Sequence, residues 1–386
     1  MSAQAVLAAT LIEPGRYEIR EYPLPAPTPG CLLVKMEVSG ICGTDKHTYQ
    51  GYVGQYGGAG ASRPVPFPII QGHENVGTIA AIGGDGRYTD FEGVALKIGD
   101  RVIVGPNVSC GECYYCRHDF PYYCCEKTVD YGNNISAKNP PHLFGGWSQY
   151  LYVVPGSFLV KVPDDLPSDI AVLTEIMAVT VGLDRAKQIS AFPSESFRFD
   201  DSVVVLGTGP LGMCFVMKAR MLGAGTIIAV DLSDYRLKFA EKLGADHVIN
   251  ASQTSEAERL IMIRDLTHGR GADVVAECAG VPQAVRESLD MLRIGGLLVE
   301  AGNFSDMGEI SISPHRHLCA KNVRILGVGG EEPGAYGPSM RQMARYMRHY
   351  PLSELVTHRF GLRQVDAAMK KSMDADSMKV VIDPWS

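Results

Sequence analysis

Two textures of apolar patterning divide the chain. Up to about residue 165, short apolar runs such as Cys31–Val38, Asn75–Ile82 and Arg101–Gly105 are separated by Gly/Pro turn signals. This predicts a β-rich, barrel-like unit. From about residue 198 strands and helices alternate. Ser202–Leu206 is a continuous apolar run, followed by a glycine turn, a helix-like Pro210–Leu222, the run Thr226–Asp231, a helix-like Asp234–Leu243 and the run His247–Asn250. Ala272–Cys278, Gly296–Ala301 and Asn322–Val328 continue the series, with helical patterns between some of them. Such alternation predicts a doubly wound parallel sheet, whose strands are buried on both faces and read as unbroken apolar runs. The remaining segment, Gly329–Ser386, holds a helical stretch at Ser339–His349 and a strand-like Lys379–Ile382. It is short for a domain and is expected to complete the first one. Tyr49–Pro68 and Gly83–Asp100 read as long loops, which are often functional.

A length of 386 residues agrees with two domains. A hydrophobic content of 46% fits a globular protein. The net charge of −7 gives no reason to expect nucleic acid or an anionic membrane as a partner. No apolar run approaches the ~20 residues a membrane span needs, and the first residues lack the basic and apolar blocks of a signal peptide. Four of the ten cysteines cluster tightly, so metal-bound thiolates in a reducing, cytoplasmic compartment are expected in place of disulfides.

The cluster is CGECYYCRHDFPYYC, with Cys110, Cys113, Cys116 and Cys124 at spacings of three, three and eight. Two-residue gaps let successive thiolates face one tetrahedral centre, the arrangement of a closed structural zinc site. An iron–sulfur cluster or four unrelated buried thiols are the alternatives, and Cys125 can substitute for Cys124.

Upstream lie GICGTDKH, with Cys42, Thr44, Asp45 and His47, and GHENVG, with His73 and Glu74. A catalytic zinc takes three protein ligands and keeps one open position. Cys42 and His73 supply two. Glu175, an acidic residue within the apolar LTEIMAV, is chosen as the third, since buried carboxylates are rare unless paired or metal-bound. One thiolate and one carboxylate balance a divalent ion, which acidifies an alcohol and activates a carbonyl. Glu74 stands as an alternate ligand or a carboxylate that orients the site. Thr44 is expected to take the substrate's proton and His47, with its suitable pKa range, to deliver it to solvent. Taken singly, each of these residues also fits an ordinary structural role.

SVVVLGTGPLGM carries G-x-G-x-x-G as Gly207, Gly209 and Gly212, after an apolar strand and opening a helix. In that context the turn Gly207–Thr208–Gly209–Pro210–Leu211–Gly212 reads as a dinucleotide pyrophosphate site. Asp231 ends the next strand, 19 residues after Gly212. A carboxylate there bonds ribose hydroxyls and repels a 2′-phosphate, favouring NAD over NADP. Arg236 is a further candidate for the adenosine ribose, or a solvated helix charge.

Together, in this order and over nearly the whole chain, these motifs resemble the zinc-containing medium-chain dehydrogenase/reductase family of alcohol, sorbitol and threonine dehydrogenases. The resemblance implies an α/β protein with a GroES-like catalytic domain at 1–180 and 327–386, its zinc lobe at about 106–126, and a Rossmann domain at 181–326. It implies NAD, two Zn²⁺ per chain, one catalytic and one structural, and a homodimer or homotetramer. By position Cys42, His73 and Glu175 resemble the catalytic zinc ligands, and Thr44 and His47 the proton relay. Glu175 in place of a cysteine points to the polyol and threonine branches, while Ile176 replaces the proline usual after that glutamate. The expected function is hydride transfer between NAD and a secondary, cyclic or polyol alcohol, giving a ketone or aldehyde. A threonine-like or other hydroxy-acid dehydrogenase is the alternative, and an inactive NAD-binding protein a further one. A zinc-free reductase on the same fold is disfavoured by Cys42, His73 and the cysteine lobe. Tyr52, Tyr56, Phe67 and Trp147 suggest a bulky substrate, or ordinary packing.

Overall fold

The computed structural model describes residues 4–55, 63–118, 128–190, 192 and 195–386. The chain forms two compact units, Met1–Glu175 with Glu332–Arg348 and Leu352–Ser386, and Ile176–Glu331 with His349–Pro351. The sequence puts the boundaries at 180/181 and 326/327. In the structure the first falls inside the helix Thr174–Val179, and the second precedes the helix Pro333–Tyr346.

The first unit is built on a seven-stranded sheet. Its path runs Leu159–Lys161, Arg101–Val104, Asn75–Ile82, Leu32–Gly40, Lys379–Asp383 and Val356–Gly361, with Tyr150–Val153 also pairing with Leu32–Gly40. All neighbours are antiparallel except Val356–Gly361 and Lys379–Asp383. A smaller sheet orders Arg16–Pro23, Ala5–Glu13 and Ile69–Ile70. One core gathers Leu32, Val34, Met36, Ile79, Val102 and Leu151. A second gathers Leu11, Tyr17, Ile41, Trp147, Val380 and Ile382. The C-terminal strand therefore helps to build the core over which the N-terminal motifs sit. Ile41 N–H, one residue before Cys42, donates to Val380 O at 2.9 Å.

The second unit is a six-stranded, wholly parallel sheet. With its strands numbered along the chain, the spatial order is 3-2-1-4-5-6, running His247–Asn250, Thr226–Asp231, Ser202–Leu206, Ala272–Glu277, Leu292–Glu300 and Arg324–Gly327. Ser202–Leu206 is buried at every position, as its unbroken apolar run requires. The order reverses between strands 1 and 4, and the crevice outside the carboxyl ends at such a switch is where open α/β sheets bind ligands. The helix read at Ser339–His349 begins six residues earlier, at Pro333, because proline is well tolerated in a helix's first turn. Among the described residues, no helix is long and apolar enough to cross a membrane.

Candidate active site

Cys42 is the N-cap of the short helix Gly43–Gln50. Asp45 closes a capping box by accepting the Cys42 N–H at 2.9 Å. Thr44 is buried in the first turn, and His47 is half-buried in the last. His73 and Glu74 lead into the strand Asn75–Ile82, and both are buried. One ligand atom each from Cys42, His73 and Glu74 lie within 4.8 Å of one another. The close approach needs Gly40, whose N–H donates to Glu74 O at 3.0 Å. A Cβ at residue 40 would fall 1.8 Å from Glu74 Oε2.

Glu74 is not left to itself. Lys379, 1% exposed, puts Nζ 2.5 and 2.6 Å from its two oxygens and 3.3 Å from Ile41 O. Burial opposes the ammonium charge. Glu74 outweighs it, with Cys42 and Glu175 adding to the effect, and holds Lys379 above its ordinary pKa. His73 behaves alike. Burial would lower its pKa, but Asp45, then Cys42 and Glu175, bring it well above the usual histidine value. Glu175 is buried on the helix Thr174–Val179. It lies outside the 4.8 Å group, although its charge acts on both His73 and Lys379.

This donor set fits zinc. Thiolate, imidazole and carboxylate are its usual ligands. Beyond the Glu74–Lys379 pair, the acidic groups acting on His73 are Asp45, Cys42 and Glu175, a set that favours a bound divalent cation.

In the cysteine lobe, Cys113 caps the short helix Tyr114–Arg117, and the Cys113 N–H donates to Cys110 Sγ at 3.4 Å. Sulfur separations are 3.8 Å for Cys110–Cys116 and 3.5 Å for Cys113–Cys116. A tetrahedron with Zn–S arms of about 2.3 Å has edges of about 3.8 Å, whereas a disulfide holds its sulfurs at about 2.05 Å. The three described thiols therefore fit a thiolate-bound metal. Cys124, and Cys125 beside it, lie outside the described residues.

At the glycine turn, Gly207 has φ +89°, and a Cβ there would meet Ala279 N at 2.5 Å. A Cβ on Gly212 would meet Gly207 O at 1.9 Å. Gly209, the N-cap of the helix Pro210–Met221, has nothing within 4 Å of its Cβ position. That open space, beside the unpaired N–H groups of a helix start, suits a pyrophosphate. Leu211 follows in the first helical turn. Asp231 accepts Thr208 N–H at 2.7 Å on one oxygen and Ser233 N–H at 3.0 Å on the other. The carboxylate is thus fixed at the carboxyl end of its strand. Arg236 sits in the first turn of Asp234–Lys242, which Ser233 caps.

Trp147 is fully buried and donates from Nε1 to Gly40 O at 3.3 Å, so it belongs to the core and not to a pocket. Phe67 packs at the edge of the same core. Tyr52 is exposed and stands edge-on to His47, with ring centroids 6.2 Å apart. Tyr56 lies outside the described residues. The sequence reading missed Lys379, whose signal was a charged residue opening an otherwise apolar strand. It also assigned no role to Asp45, Gln71 or Tyr17.

Residues 28–164 match the family described as the alcohol dehydrogenase GroES-like domain, and residues 210–345 match the zinc-binding dehydrogenase family. The chain is 33% identical over 382 residues to 5-exo-hydroxycamphor dehydrogenase of Pseudomonas putida, covering 98% of this chain and 99% of that one. It is 30% identical over 396 residues to sorbitol dehydrogenase of Bacillus subtilis, covering 99% and 98%. Its fold superposes on a crystal structure of an alcohol dehydrogenase from Thermotoga maritima with TM-score 0.87 and 29% identity, covering 99% of this chain and all of that one. The chain belongs to the zinc-containing medium-chain dehydrogenase/reductase family. Within it the chain is an oxidoreductase of the alcohol dehydrogenase type.

Proposed function

We propose that this protein is a zinc-dependent, NAD-linked dehydrogenase that moves a hydride between NAD and a secondary alcohol, cyclic or polyol, giving the ketone. The observation that carries the reading is the convergence of Cys42 and His73 with a glutamate already paired to a buried lysine. With Glu74 committed to Lys379, Glu175 is the better third ligand. Zinc held by Cys42, His73 and Glu175 supplies the Lewis acidity that makes an alcohol a better hydride donor. A second zinc, held by Cys110, Cys113, Cys116 and Cys124, is structural.

Thr44 takes the proton of the substrate hydroxyl, and His47 passes it on. Burial, and then the Lys46 charge, hold the His47 pKa below its ordinary value, so the imidazole is neutral and able to accept a proton at physiological pH. Its buried Nδ1 has no hydrogen-bond partner among the described residues. The turn from Gly207 to Gly212 binds pyrophosphate, and Asp231, with Arg236, binds the adenosine ribose, which selects NAD. Cyclic and polyol alcohols are favoured by the relatives named for hydroxycamphor and sorbitol. The reading also includes a cytoplasmic location and a homodimer or homotetramer.

The test is NAD reduction over a panel of cyclic secondary alcohols, polyols, threonine and hydroxy acids, with metal analysis of the same sample. Two zinc per chain and turnover with one alcohol class are expected. A zinc-replete protein that binds no NAD, or oxidises nothing in the panel, overturns the reading.

A further inference from the structure

Behind the cluster of Cys42, His73 and Glu74 runs a buried chain of polar groups that starts on the N-terminal hairpin. Tyr17, on the strand Arg16–Pro23, is buried and stacks on Tyr49, with centroids 5.7 Å apart. It also packs at a tilt on Trp147, at 5.9 Å. Its hydroxyl donates to Gln71 Oε1. Gln71 is 1% exposed and donates from Nε2 to Asp45 Oδ1 and to Asp45 O, each at 3.3 Å. Asp45 is fully buried. Its Oδ2 accepts the Cys42 N–H, and its Oδ1 lies 3.7 Å from His73 Nδ1.

We infer that Tyr17 and Gln71 are positioning residues for the metal-binding histidine: they orient Asp45, and through it fix His73 with its proton on Nδ1 and its lone pair on Nε2, ready for a metal. The inference rests on the assignment of His73 as a zinc ligand in the proposed function.

The direction of each bond carries the argument. A phenol this deeply buried, beside Asp45, stays protonated, since burial and then the Asp45 charge hold its pKa well above the ordinary value. Tyr17 is therefore a donor to Gln71, and an amide carbonyl can only accept. That settles which end of the Gln71 amide faces which neighbour, and its NH₂ group is left pointing at Asp45. Asp45 then receives N–H groups from Gln71 on one oxygen and from Cys42 on the other, so both carboxylate oxygens are turned to donors. Asp45 Oδ1 is 3.7 Å from His73 Nδ1, a buried nitrogen with no hydrogen-bond partner among the described residues. This is an ion-pair contact longer than a hydrogen bond, and its charge favours the tautomer protonated at Nδ1. Histidines that bind metals usually have such a partner on the second nitrogen, and losing it typically weakens metal binding by about 10–100-fold. Here the partner carboxylate has its own support, reaching to a strand that contributes no ligand.

The test uses full-length Gln71→Leu and Tyr17→Phe. The second removes one oxygen and keeps the ring against Tyr49 and Trp147. Each is titrated with a graded zinc chelator, with the metal counted per chain and Co²⁺-substituted protein followed by visible absorption. Gln71→Leu is expected to release one of its two zinc ions at a chelator strength about tenfold lower than wild type and to change the Co²⁺ spectrum. Tyr17→Phe should shift the same way by a few-fold. The lobe zinc, bound by thiolates outside this chain of bonds, should be released as in wild type. It is the internal control for a general loss of structure. If Gln71→Leu does not fold, Tyr17→Phe decides. Both zinc ions retained at wild-type strength, with an unchanged Co²⁺ spectrum, overturn the inference and leave the proposed function standing. A wild-type protein that holds only the lobe zinc overturns the proposed function itself.

Discussion

The two candidate metal sites are built in opposite ways. The lobe takes Cys110, Cys113 and Cys116 from one short stretch. All three are half-exposed, and the Cys113 backbone N–H donates to the Cys110 sulfur. The inner site draws on three separate segments, which carry Cys42, the adjacent His73 and Glu74, and Glu175. Asp45, Gln71 and Lys379 surround it, and each of them is almost completely buried. A local site can be assembled by its metal, because the ligands are already neighbours along the chain. The inner site must be assembled by the fold first. Its buried charges then make it costly to disturb.

The largest contrast is expected from one serine in each site. Cys42→Ser should lower turnover by about 10³-fold, the several kcal/mol a Lewis acid contributes, while NAD affinity stays at the wild-type value by fluorescence titration. Cys113→Ser should instead lose the lobe zinc and melt at a lower temperature, but keep turnover below its own melting point. Equal loss of turnover in both would erase the distinction drawn here. Next comes Lys379→Met, which leaves Glu74 buried without its cation. Removing one partner of a buried pair costs about 3–5 kcal/mol, to be read from the denaturant midpoint, and no lobe substitution should match it. The smallest effect concerns pH. Lys46 adds to burial in lowering the His47 pKa, so Lys46→Gln should raise that pKa. Alcohol oxidation needs the neutral imidazole, so the acid limb of the kcat profile should move to higher pH, by a fraction of a unit. A limb that stays in place, or moves to lower pH, removes His47 from the relay.

The same contrast explains what was legible in the sequence. The lobe and the glycine turn were read directly, because spacing along the chain is spacing in space when a motif is local. Asn75–Ile82, Ser202–Leu206, Thr226–Asp231 and His247–Asn250 have the bounds read from their apolar runs. Cys42 and His73 were legible as motifs, but what surrounds them was not. Tyr17 meets Gln71 across 54 positions, and Lys379 meets Glu74 across 305. No periodicity encodes a pairing at that distance. Trp147 was left open between the substrate and ordinary packing for the same reason, and the structure places it in the core.

The pairing of Lys379 with Glu74 also bears on how the molecule is made. A ribosome delivers the N-terminal motifs long before residue 379, and domains generally fold as units during synthesis. The parallel sheet from Ser202–Leu206 to Arg324–Gly327 has all its strands before that point. The inner site does not. Until the strand Lys379–Asp383 threads between Leu32–Gly40 and Val356–Gly361, Glu74 lacks its counter-charge. Closure of the Glu74–Lys379 pair is thus a late event in the life of each chain, whereas Cys110, Cys113 and Cys116 are in hand while translation is still under way.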